Sequence, residues 1–156
     1  MSLALRRATA AEYEAWSSAV VAGYAARIAE SGALPAEAAA EKPRRDHERA
    51  LPDGLDTPGH LIFRLMADGQ GVGWLWLAVP GPDSDPDMAW VYLVEVDKAF
   101  RGRGYGREAM LLAEAEARSQ GMRSVGLNVY GHNTVARSLY TSLGYEVMEQ
   151  QMKKPL

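Results

Sequence analysis

The run from Val72 to Val79 sets Val72, Trp74 and Trp76 in alternation with Leu75, Leu77 and Val79, so a strand here is apolar on both faces. Such a strand has to lie inside a sheet, because either face left in water would expose large aromatic or branched side chains. Asp68-Gly69 just before it is the dipeptide of a tight hairpin, and His60 to Ala67 supplies the other arm. An antiparallel pair is therefore expected at the centre. With 156 residues and no internal repeat, the chain is expected to form one domain, 1–156, around that pair.

The flanking segments supply the remaining elements. Leu3 to Arg7 suits a short first strand, and Thr9 followed by Glu12 is a capping box that opens a helix near Ala10. Tyr13, Trp16, Val20, Tyr24 and Ile28 form one face of that helix, and Gly32 supplies its stop. Leu34 to Ala50 reads as a second helix, with Pro35 in its first turn and Pro43 expected to end or kink it. The stretch from Pro80 is a surface loop, and Met88 to Val96 is another strand. Tyr105 to Gln120 is a helix that buries Ala109, Leu112 and Ala113 and stops at Gly121. Val125 to Val129 alternates as a strand. Asn133 caps a last helix whose Val135, Leu139 and Leu143 are expected to face inward before Gly144 ends it, and Tyr145 to Met152 reads as a final strand or hairpin.

Composition removes several classes of function. Seventeen Lys and Arg against twenty Asp and Glu give a formal charge of -3, which offers no cation excess for a general nucleic-acid surface. There is no cysteine, hence no disulfide framework, thiol nucleophile or thiolate metal site. His47, His60 and His132 share no metal-ligand spacing and are expected in surface or loop settings, so no metal is expected. No apolar run suits a signal peptide or a membrane span, and the expectation is a soluble, cytoplasmic protein without a membrane partner.

Between strand and helix stands Arg101-Gly102-Arg103-Gly104-Tyr105-Gly106. Glycines let the backbone approach an anion, and the first turn of a helix offers N–H groups without intrahelical partners, so the loop is a candidate site for a diphosphate. A P-loop would need Lys and then Ser or Thr after the last glycine, whereas Arg107 and Glu108 follow. A dinucleotide fingerprint would need glycine at 107 and an acidic residue about 20 positions on, where Val125, Gly126 and Leu127 stand. Both nucleotide readings are disfavoured.

Arg101-x-x-Gly104-x-Gly106 after a strand resembles the acyl-CoA signature of the GCN5-related N-acetyltransferase (GNAT) superfamily. Asn133-x-x-Ala136-x-x-x-Tyr140-x-x-x-Gly144-Tyr145, after Leu127-Asn128-Val129, is similar to its second signature. The resemblance implies an α/β (α+β) fold, a mixed and mostly antiparallel sheet of six or seven strands flanked by four helices. Their order is strand, two helices, three strands, helix, strand, helix and two closing strands. It implies an acetyl-CoA-dependent N-acetyltransferase acting on a primary amine of a small molecule or peptide, by direct attack in a ternary complex.

By the same resemblance, the amides of Gly102, Arg103, Gly104, Tyr105, Gly106 and Arg107 hold the coenzyme A pyrophosphate at the loop that Arg101 opens. The arm of the coenzyme lies along Val94, Glu95 and Val96, and Asn133 orients its end while also capping its helix. Arg103 and Arg107 add charge to the phosphates or remain solvated cations. Tyr140 is the candidate acid for the departing thiolate, since a phenol keeps its proton at neutral pH; the competing reading is an aromatic that packs. Some superfamily members place a carboxylate on the strand before the second signature, where this chain has Asn128. The candidate base is therefore Glu95, which strict alternation puts on one face with Leu93 and Val91, where partial burial would raise its pKa; a solvated or ion-paired glutamate is the alternative. A non-catalytic acyl-CoA-binding or sensing module is the competing function, and a homodimer is one of the oligomeric states left open.

Overall fold

Alternating apolar and helix-capping segments resolve into five strands and four α-helices in the computed structural model, which describes residues 2–31, 34–82 and 85–156. The elements are β1 (Ala4–Arg7), α1 (Ala10–Ser31), α2 (Ala36–Ala50), β2 (His60–Ala67), β3 (Gln70–Ala78), β4 (Met88–Val96), α3 (Tyr105–Ser119), β5 (Ser124–Leu127) and α4 (Thr134–Ser142), with short 3₁₀ turns at Gly54–Asp56 and Lys98–Phe100. The sheet order is β1-β2-β3-β4-β5, and the first three pairings are antiparallel. β5 starts where the amides of Arg123 and Ser124 donate to Asp87 O, beside the start of β4, so these two strands run the same way. The result is a mixed sheet of five strands, not the six or seven expected.

Two further expectations are corrected. Tyr145 to Met152 carries no strand: a lone extended segment is stable only when its backbone groups find a ladder, and none is described for it. Pro43, expected to end or kink α2, does not end it: the helix continues to Ala50. Its ring is among the most completely buried side chains, so apolar burial offsets the lost helical hydrogen bond. Gly32, the expected stop of α1, lies outside the described residues.

The chain divides into two compact units, Met1–Gly126 and Leu127–Leu156. In the first, β3 is the middle strand, as its two apolar faces require. One face pairs Trp74 and Trp76 with Arg64 and Ile62 on β2 and packs against Tyr13 and Trp16 of α1 and Leu51 after α2. Phe63, Leu65, Leu75, Leu77 and Val91 make up the other face, and α3 packs on β3 and β4 with Ala109, Met110, Ala113 and Ala117 buried. The second unit holds α4, capped as expected where Asn133 Oδ1 accepts from Ala136 N at 3.2 Å. Val135 does not face inward: it is 83% exposed, while Leu139 and Leu143 are half-buried.

Candidate functional site

The end of β4 and the start of α3 are set by close backbone contacts. A Cβ on Gly73 of β3 would collide with the carbonyl oxygen of Glu95, so glycine is what lets the two strands meet there. Arg64 of β2 ties the exit of β4 down, donating to Gly73 O at 2.8 Å and pairing with Asp97 at 2.9 Å. The Asp97 amide donates to Val72 O at 2.8 Å. Arg64, Asp97 and Gly73 were not singled out from sequence, although a lone arginine within the apolar run of β2 was a usable signal.

Beyond Asp97 the chain makes one 3₁₀ turn and enters the glycine loop. Gly102 and Gly104 hold φ of 76° and 83°, the left-handed region that residues with a Cβ avoid. A Cβ at either would meet nothing within 4 Å, so the protein leaves open space above this backbone. Gly104 is the N-cap of α3, and Glu108 N–H to Gly104 O at 3.2 Å is the first described bond of its ladder. The amides of Tyr105 and Gly106 thus stand in the first turn, outside the helical ladder, with the positive end of a 15-residue helix behind them. That arrangement suits a pyrophosphate. The Tyr105 side chain is buried and anchors the turn, while Arg101 donates to Val96 O at 3.0 Å and the Arg103 guanidinium lies 5.4 Å from the Phe100 ring centre. Arg103 and Arg107 are exposed.

Val94, Glu95 and Val96 lie on the part of β4 that runs on past the four residues of β5. Glu95 is not where strict alternation put it. β4 pairs Trp76 with Leu93 but Leu77 with Val91, so Tyr92 is an extra residue in a β-bulge. Leu93 and Glu95 therefore share the face of Trp76 and Trp74, and Val91 faces the opposite layer with Leu77. The physical reason is the carboxylate: an unbroken alternation would carry Glu95 into the apolar layer under α3. Glu95 is exposed, so the expected partial burial is absent.

Two histidines are also misplaced by the sequence reading. His60 accepts the indole N–H of Trp76 on Nδ1 at 2.9 Å, and His47 Nε2 shares a 2.7 Å hydrogen bond with Ser17 Oγ. Both are pushed below the ordinary histidine pKa by burial within an aromatic cluster, in which Trp16, His47, His60 and Tyr92 all lie within 6 Å of Trp76. His132 is exposed and stacks on Tyr130 in the second unit.

In that unit Asn133 and Tyr140 lie two turns apart on one helix. Tyr140 is half-buried with its ring edge-on to Tyr145 at 5.9 Å, and burial raises its pKa above the usual phenol value. It holds its proton at neutral pH.

The chain matches the model of the "Acetyltransferase (GNAT) family" over residues 25–145. It is 31% identical to the uncharacterised N-acetyltransferase YdgE of Bacillus subtilis over 157 residues, 100% of this chain and 99% of that one. YycN of the same organism, likewise an uncharacterised N-acetyltransferase, is 34% identical over 107 residues, 68% of each chain. The crystal structure of YycN overlays with a TM-score of 0.89 at 28% identity, covering 99% of both chains. The aminoglycoside acetyltransferase AAC(6')-Iy, in complex with a bisubstrate analogue joining coenzyme A to an acetylneamine, has a TM-score of 0.63 at 20% identity, with 100% and 99% covered. That last likeness is one of fold.

Proposed function

The chain belongs to the acetyltransferase (GNAT) family and is an acetyltransferase, and from that premise we propose that it moves an acetyl group from acetyl-CoA to a primary amine, as a single catalytic domain over 1–156. The observation that carries the choice of donor is the start of α3, where two left-handed glycines leave open space above amides that the helix does not use. The amides of Gly102 to Arg107 hold the pyrophosphate, with Arg101, Arg103 and Arg107 adding charge. Val94, Glu95 and Val96 offer their backbone to the amide-bearing arm, and Asn133 orients its end.

The reaction is a direct displacement. The amine nitrogen attacks the thioester carbonyl carbon, the C–S bond breaks, the nitrogen loses a proton and the thiolate gains one. Tyr140 gives that proton to sulfur, a role supported by its raised pKa. Glu95 takes the proton from nitrogen, directly or through water; its exposure on the surface of β4 supports access. Exchange of Glu95 for Gln is expected to abolish the rising limb of the pH profile of kcat/KM, and a limb that survives assigns the proton to water or another group.

The test of the function is thiol release from acetyl-CoA across amino acids, polyamines, aminoglycosides and peptide N-termini, alongside calorimetric titrations with acetyl-CoA, NAD and ATP. Binding of acetyl-CoA alone, with release that depends on an amine, is expected. Binding without release for any amine favours a sensing module, and binding of NAD or ATP instead overturns the choice of donor.

A further inference from the structure

Tyr92, the extra residue of the β4 bulge, lies on the same side of the sheet as Glu95. It is 38% exposed, and its ring lies flat on Trp76, with centroids 4.5 Å apart and planes at 16°. Trp76 is held from several sides. Its N–H is bonded to His60, its edge meets Trp16 at 5.8 Å, and His47 stands 5.9 Å away. An indole N–H only donates, so His60 Nδ1 is the acceptor and its ring proton sits on Nε2. Tyr92 therefore rests on a ring whose orientation is already fixed, which lowers the entropic cost of any contact it makes.

The same sheet face shows how such a surface is used. The Arg64 guanidinium lies 4.8 Å from the Trp74 ring centre and pairs with the Asp97 carboxylate at 2.9 Å, a cation shared between an aromatic face and an anion. Tyr92 and Glu95 offer the same two chemistries. Among the described residues none forms an ion pair with Glu95. Arg64 is committed to Asp97 and Gly73 O, and His60 is neutral by its hydrogen bond.

We propose that Tyr92 is a specificity-determining contact for the acceptor: its ring, fixed by Trp76 and His60, receives the amine as an ammonium ion whose charge is shared with Glu95, and the ammonium gives one proton to Glu95 before its freed lone pair attacks, the second proton passing to water after the attack. The inference rests on the acetyltransferase reading above and narrows the acceptor to amines that arrive charged, as simple primary amines do at neutral pH. The aromatic face selects for charge, because a ring quadrupole attracts a cation and is indifferent to an uncharged group of equal shape.

The test uses choline and its uncharged isostere 3,3-dimethyl-1-butanol, titrated into the whole protein without acetyl-CoA and followed by tryptophan fluorescence, since Trp76 lies against Tyr92. Choline is expected to give a saturable change, with the isostere about tenfold weaker. Tyr92→Leu is expected to weaken choline by about tenfold and Tyr92→Phe by less than about threefold, because a phenyl keeps the π face. Equal response to choline and isostere, no response to choline, or unchanged choline affinity in Tyr92→Leu overturns the proposal. If Tyr92→Leu does not fold, Glu95→Gln decides: choline weakened severalfold supports the shared charge, and unchanged affinity overturns it. Calorimetry of acetyl-CoA with each variant separates the two readings. Loss of acetyl-CoA binding by the wild type with intact choline selectivity ends the choice of donor and leaves the platform standing, and the converse ends only the platform.

Discussion

Tyr140 and Gly104 are the single positions on which the proposed chemistry depends most. Burial penalises a phenolate and raises the Tyr140 pKa, so Tyr140 keeps its proton at neutral pH, and only its hydroxyl distinguishes it from phenylalanine. Tyr140→Phe is expected to lower kcat by about a hundredfold while the acetyl-CoA dissociation constant changes less than about twofold, read by steady-state kinetics and calorimetry. At Gly104 the left-handed φ strains any residue with a Cβ, and that Cβ would stand in the space reserved above the loop. Gly104→Val is expected to weaken acetyl-CoA at least about tenfold and to cost about 1–2 kcal/mol of stability, checked by calorimetry and urea unfolding. Both positions are picked out by sequence because their signal is a residue type at a spacing. The partners of His60 and His47 were not, since a hydrogen bond across the sheet or between helices leaves no trace in local pattern.

Elements with local signals were read well, and elements that need a distant partner were not. The capping box at α1 forms reciprocally: Glu12 N–H donates to Thr9 Oγ at 3.2 Å, and Thr9 N–H donates to Glu12 Oε1 at 2.9 Å. Arg6 closes on the same carboxylate at 2.8 Å and, with the Thr9 amide, lowers its pKa to about 2. Thr9→Ala is expected to cost about 1 kcal/mol in urea unfolding near pH 7. The carboxylate's own contribution is present above pH 4.5, its unfolded value, and is lost as pH falls from there towards 2, so the difference between wild type and Glu12→Gln should shrink over that window. The central hairpin and the start of α3 were equally local. The segment after Gly144 was read as a final strand or hairpin, but a strand exists only through its neighbour. Pro43 was read as an end or a kink because sequence shows the lost donor and hides the compensating burial of the ring.

At the scale of the whole molecule, acid sensitivity should have two stages. His47 and His60 have pKa values lowered by burial, so the unfolded chain takes up protons near pH 6.5 before the folded chain does. Stability is then full above pH 6.5 and falls as pH drops through it, well before Glu12 titrates. Thermal melts between pH 7.5 and 5 should show this fall, with the slope reduced in His47→Gln; a flat profile removes the histidines from the account. The order of elements was legible through α4, and so was the loop that begins α3. The side of the sheet that carries Glu95 was not, because a bulge is a property of two strands read together. That one extra residue also sets a route for change by chain length instead of by substitution. Deleting Tyr92 joins Val91 to Leu93 in an unbroken ladder, with every residue on either side still facing its present layer. A single codon lost would remove the ring that lies on Trp76 and leave the carboxylate where it stands, so the proposed ammonium contact can be lost without any substitution in the glycine loop.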